Sequence, residues 1–238
     1  MVKRSPGKRV ARAAATGGGR TKRGKAPIGF YTVLALIVVL GAATVGYSRY
    51  QRMHPASAST SSNKSSSPTT DPLKAPVLAS TQAQANGQPV DGIACQTGEQ
   101  LAYHIHAHIA VYSNGALRAV PRGIGITPPT TEQSSSEGPF IASGGCFYWL
   151  HSHTQDGVIH IESPTPKIYT LGNYFDIWQQ PLSSTQVSTA LGNVVAYVNG
   201  KQYKGDPRSI PLNAHAVIQL DVGSPTVPPK SFTFPQGL

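Results

Sequence analysis

The chain has 238 residues and a formal charge of +10. Nine of its cations (Lys3, Arg4, Lys8, Arg9, Arg12, Arg20, Lys22, Arg23 and Lys25) precede residue 26, and the remainder of the chain is near neutral. A basic nucleic-acid-binding domain, whose cations would lie over the folded surface, is thereby excluded, and no nucleic-acid partner is expected. The two cysteines form no CxxC, and the alternative to their pairing is that one or both are thiolate ligands of a soft copper or zinc site.

Residues 1–27 read as a basic tail. Ile28 to Tyr47 carries no charge over 20 residues, enough as a helix to span roughly 30 Å, the thickness of a bilayer core. With the cations before it, the positive-inside rule predicts a single-pass cell-membrane anchor, N-terminus cytoplasmic and C-terminal part outside. Ala42 and Gly46 form a small-xxx-small pair that would suit packing of two such helices in a homodimer. Residues 48–90 are rich in Ser, Thr and Pro and read as a flexible stalk that includes His54.

A β-rich domain is expected over 91–223, with a Pro-rich tail after it at 224–238. The fold class is mainly β: an antiparallel β-sandwich or open barrel built from hairpins, with one short helical insert. Tyr103 to Tyr112 alternates polar and apolar residues and precedes Asn114-Gly115, a two-residue hairpin signal. Continued past Pro121, that hairpin would set His106 opposite Gly123 and His104 opposite Gly125. The Pro-, Ser- and Thr-rich stretch 127–145 reads as a long loop. Asp156-Gly157 predicts a type I′ turn that pairs His153 with His160 and His151 with Glu162. A strand is expected at 167–171, a helix around Leu171, Phe175 and Trp178, and a second short helix capped by Ser184 and ending at Leu191. A third hairpin runs through Asn199-Gly200, and 215–222 forms the last strand. Cys95 and Cys146 are expected to pair, since the loop they close encloses the 103–112 strand.

The histidines carry the chemistry. Six of the eight fall between positions 104 and 160. His104, His106 and His108 share one face of a strand, with Ile105, Ala107 and Ile109 on the other. His151, His153, His160 and Glu162 share a face of the next hairpin, opposite Ile159 and Ile161. Imidazole and carboxylate arms at that spacing converge on an ion at about 2.0–2.2 Å. These seven residues are the candidate metal ligands, as one site, two sites or a shared binuclear one. The donor set suits a divalent transition metal, copper or zinc first, iron or manganese after them. The alternative is a set of exposed or hydrogen-bonded histidines without a metal.

An HxH strand beside a third histidine on a neighbouring strand resembles the ligand layout of α-carbonic anhydrases and cupins. The usual cupin order is not met, because Glu162 lies nine residues after His153, and neither family is assigned. Three functions fit the pattern: a membrane-anchored extracytoplasmic protein that captures or delivers a metal, a mononuclear or binuclear metalloenzyme with hydrolytic, hydratase or oxygen chemistry, and a pH-sensing interaction ectodomain.

Overall fold

The structure is a computed structural model and describes residues 69–238. It is mainly β, with several antiparallel sheets and one α-helix, and no barrel closes. The strands in chain order are β1 (Cys95–Gln96), β2 (Tyr103–Ser113), β3 (Ala116–Arg118), β4 (Thr131–Ser135), β5 (Gly138–Ser143), β6 (Phe147–Tyr148), β7 (Leu150–His151) and β8 (Val158–Ser163). After the helix α1 (Leu171–Trp178) come β9 (Gln186–Val187), β10 (Ala190–Leu191), β11 (Val194–Val198), β12 (Lys201–Tyr203) and β13 (Val217–Val222).

The principal sheet has the order β12-β11-β13-β2-β8-β7, with β3 also paired to β2. It is mixed rather than purely antiparallel, because β13 runs parallel to β2. Both Asn-Gly turns form as expected: Asn114 and Gly115, and Asn199 and Gly200, all have positive φ. The β2–β3 pairing stops at Arg118, so Gly123 and Gly125 do not face the β2 histidines. That edge of β2 is taken by β8, with His104 opposite Glu162 and His106 opposite His160.

Alternation puts Ala107, Ile109, Ile159, Ile161, Leu150, Ile218 and Leu220 on one sheet face, where they form the core with α1. Full burial of an Ile or Leu contributes about 1.5–3 kcal/mol, so Ile159 and Ile161, both at 0% exposure, fix which face of β8 carries His160 and Glu162. Helix α1 is too short to persist alone. It is held by a Thr170–Asn173 capping box and by burial of Leu171, Tyr174, Phe175, Ile177 and Trp178. The strand expected at 167–171 is reduced to a single bridge, Thr170 opposite Pro211, because the helix starts at Leu171.

Other expectations are corrected. The loop expected at 127–145 contains the β4–β5 hairpin. The helix expected from Ser184 is instead the β9–β10 hairpin. There the Ser183 hydroxyl accepts the Thr185 N–H and Ser188 takes a positive φ, both of which compete with helix. Residues 69–90, assigned to a flexible stalk, lie against the domain. Leu78 enters the core, the Trp178 indole N–H donates to Ser80 O, and Gln84 bonds to Gly123, Gly125 and Ile126. The Pro-rich tail packs too, with Val227 and Lys230 hydrogen-bonded to Asp221 and Gln219. The cell-membrane placement is likewise corrected: among the described residues no helix is long and apolar enough to cross a membrane. Residues 28–47, with Ala42 and Gly46, and His54 lie outside the described residues.

Candidate metal centre

Three adjacent strands set the site. His106 in β2 pairs with His160 in β8, which pairs with His151 in β7, so three imidazoles stand side by side on one sheet face. One step along, His104 and Glu162 form the next pair on that face. The expected hairpin register is therefore displaced by two residues: His151, not His153, opposes His160. A shift of two preserves the face, as a shift of one would not. Its cause is that Asp156 does not enter the left-handed region and accepts the Thr154 hydroxyl and the Val158 N–H instead. The backbone of 152–153 is meanwhile drawn off to Gly123, Ile124 and Ile141.

His153 thus lies in the loop after β7, yet its ring returns to the site. It stacks on Phe140 of β5 with centroids 4.4 Å apart. Below the loop, the Tyr174 hydroxyl of α1 lies 2.7 Å from Ser152 Oγ, which donates to Val158 O.

Two overlapping donor sets result. In the first, His104 Nε2 is 3.0 Å from both His106 Nε2 and Glu162 Oε1. His160 Nδ1 is 3.2 Å from His106 Nε2 and 3.3 Å from Glu162 Oε1. Four ligand atoms around a tetrahedral ion at about 2.1 Å stand about 3.4 Å apart, so this quartet needs little expansion to enclose one. In the second, His151 Nε2 lies 3.1 Å from His153 Nε2.

The tautomers of that pair are fixed by its surroundings. His151 Nδ1 is 2.9 Å from Tyr148 O, and His153 Nδ1 is 2.6 Å from Ile141 O. A carbonyl only accepts, so both Nδ1 atoms carry a proton, and in the neutral form of each ring Nε2 presents a lone pair. Two acceptors face each other in a site where His151 is 0% exposed and His153 3%. Backbone carbonyls that orient ring N–H groups in this way are the usual outer support of metal-bound histidine.

Burial also keeps His106, His151 and His160 neutral. It depresses His151 well below its ordinary value, helped by the neighbouring His160 and His153. Burial, then His153 and His106, lowers His160 to about 2, and burial followed by His104 lowers His106 to about 4. Lone pairs are therefore free at neutral pH. Glu162 and Glu99 are both pushed upward by burial, Glu99 also by the charge of Glu162. Two carboxylates and paired lone pairs in one enclosure are stabilised by a cation.

Glu99 was not among the residues expected from the sequence. It sits in the loop between β1 and β2, its Oε1 3.3 Å from His153 Nε2 and 4.0 Å from His151 Nε2. A lone glutamate outside any HxH pattern gives no periodic signal. The usable clue is that it comes four residues after Cys95, and the Cys95–Cys146 disulfide, present as expected, ties this loop to the segment entering β7. His108, by contrast, belongs to neither set. Its Nε2 donates to Asp156 O at 3.1 Å and its ring stacks on Phe232. His215 also stands apart, against Phe234.

Comparison with family models, curated proteins and solved structures finds no match. The clustered histidines and acids, which could hold a metal ion, rest on their geometry alone.

Proposed function

We propose that this protein captures or delivers a divalent transition metal, copper or zinc, through His104, His106, His151, His153, His160 and Glu162. The observation that carries the reading is the His151–His153 pair. Its two buried Nε2 lone pairs face each other at 3.1 Å, and both Nδ1 protons are already committed to backbone carbonyls. A Lewis acid between them turns a repulsive contact into two coordinate bonds. Nitrogen-rich sets favour copper(II) and then zinc over iron or manganese. Neither cysteine offers a thiolate, because both are in the disulfide.

The test is a titration of the metal-stripped full-length chain with copper(II) or zinc against a competing chelator. Uptake is expected at neutral pH. His151→Ala and His153→Ala should each weaken it by more than about 100-fold, since even an outer-shell partner of a ligand is worth about 10–100-fold. Failure to take up copper, zinc, iron or manganese would overturn the reading and leave a pH-responsive histidine cluster.

A further inference from the structure

We infer that the centre holds two metal ions, bridged by the carboxylate of Glu162, with Glu99 as a ligand of the second; this rests on the metal-binding reading of the same site. Glu162 is buried, at 2% exposure, and its two oxygens serve different neighbours. Oε1 faces His104 and His160 at 3.0 and 3.3 Å. Oε2 is fully buried and has no hydrogen-bond partner, although an orphaned buried carboxylate oxygen carries a large desolvation cost. It lies 3.9 Å from His151 Nε2, on the side where Glu99 Oε1 approaches His153.

The donors fall into two groups. His104, His106, His160 and Glu162 Oε1 form one set of four. The other centres on His151, whose Nε2 lies 3.1 Å from His153 Nε2, 3.9 Å from Glu162 Oε2 and 4.0 Å from Glu99 Oε1, with Glu99 Oε1 3.3 Å from His153 Nε2 and His160 within reach of the pair. Zinc takes four ligands of this kind. One ion in the first set would leave the His151–His153 lone pairs and Glu162 Oε2 unsatisfied, and one ion in the second would strand the quartet. Two ions satisfy all eight donors. Two divalent ions bring four positive charges to two carboxylates and five neutral imidazoles, and the excess is met by the opening at His104 and Glu99, each with about a third of its side chain exposed, where water or an anion enters. Paired metals in proteins stand about 3.5–4 Å apart, a separation that a carboxylate spans through its two oxygens.

The experiment uses copper(II) alone on the metal-stripped full-length chain, washed with a weak chelator before elemental analysis and electron paramagnetic resonance. Wild type should retain two coppers per chain. Its integrated spin should fall short of the copper present, with a half-field transition from coupling through Glu162. Glu99→Gln, at a partly exposed position outside the core, should retain one copper with full spin intensity. One copper in both proteins would overturn the two-ion centre while leaving single-metal binding intact, whereas none in wild type would overturn both. Two magnetically isolated coppers in wild type would overturn the bridge, and two coppers in Glu99→Gln would overturn the role of Glu99.

Discussion

Gly125 offers a test of how tightly the backbone holds His151. Its φ is +74°, and a Cβ built there would collide with the Leu150 carbonyl and lie 3.0 Å from His151 Cβ. Gly125→Ala therefore brings left-handed strain of about 1–2 kcal/mol and overpacking of about 1–3 kcal/mol. It recovers about 0.4–1 kcal/mol from a stiffer unfolded chain. Gly123 supplies the control: its φ is +80°, but its Cβ would meet only Ile141 Cγ1, at an ordinary 3.5 Å. Gly123→Ala carries the same backbone cost without the collision, so the difference between the two variants should be about 1–3 kcal/mol. Urea denaturation of both, metal-free, reads that difference. Because the collision pushes on β7 beside His151, metal affinity should fall about 10–100-fold in Gly125→Ala, as for loss of an outer-shell support, and stay unchanged in Gly123→Ala. If the two variants agree in stability within about 0.5 kcal/mol and bind metal equally, β7 is not held tightly against Gly125.

Reduction of the Cys95–Cys146 bridge, whose partners are 51 residues apart, should cost about 4 kcal/mol by the chain-entropy model, read by denaturation with and without reductant. It should also free the Glu99 loop, so copper retention should fall in the reduced chain. His108→Ala should leave metal uptake unchanged in the chelator titration, because His108 is turned to Asp156 and Phe232. The same residue predicts a pH dependence in the metal-free protein. Burial, partly offset by the bond to Asp156, lowers His108 to about 4. The unfolded chain protonates this ring near 6.5 and the folded chain only near 4, so the stabilisation is complete above pH 6.5. It is lost as pH falls toward 4, up to about 3 kcal/mol. Denaturation from pH 7 to 4 should show that loss, and a smaller slope in His108→Ala.

Much of this was legible in the chain itself because strand alternation is local. The HxHxH of 104–108 and the His160/Glu162 pair carry apolar residues on the reverse face, and the two Asn-Gly turns require positive φ wherever they occur. Those features predicted a β-rich fold with imidazoles on one sheet face, and Cys95 and Cys146 had only each other to pair with. The strand neighbours were not local. That β8 lies between β2 and β7, joining both histidine arrays in one row, goes with burial of Ile159 and Ile161 between Ile105 and Ala107 of β2 and Leu150 of β7. The two-residue displacement of the 151–162 hairpin arose because Gly123, Ile124 and Ile141 offered the 152–153 backbone better partners than its own hairpin did. Such competition between distant chain segments leaves no trace in a turn dipeptide. The arrival of Glu99, carried in by the disulfide, and the departure of His108, turned toward the C-terminal tail, have the same origin. Periodicity specifies which face a side chain takes, but only the packed sheet specifies which side chains share that face at coordinating distance.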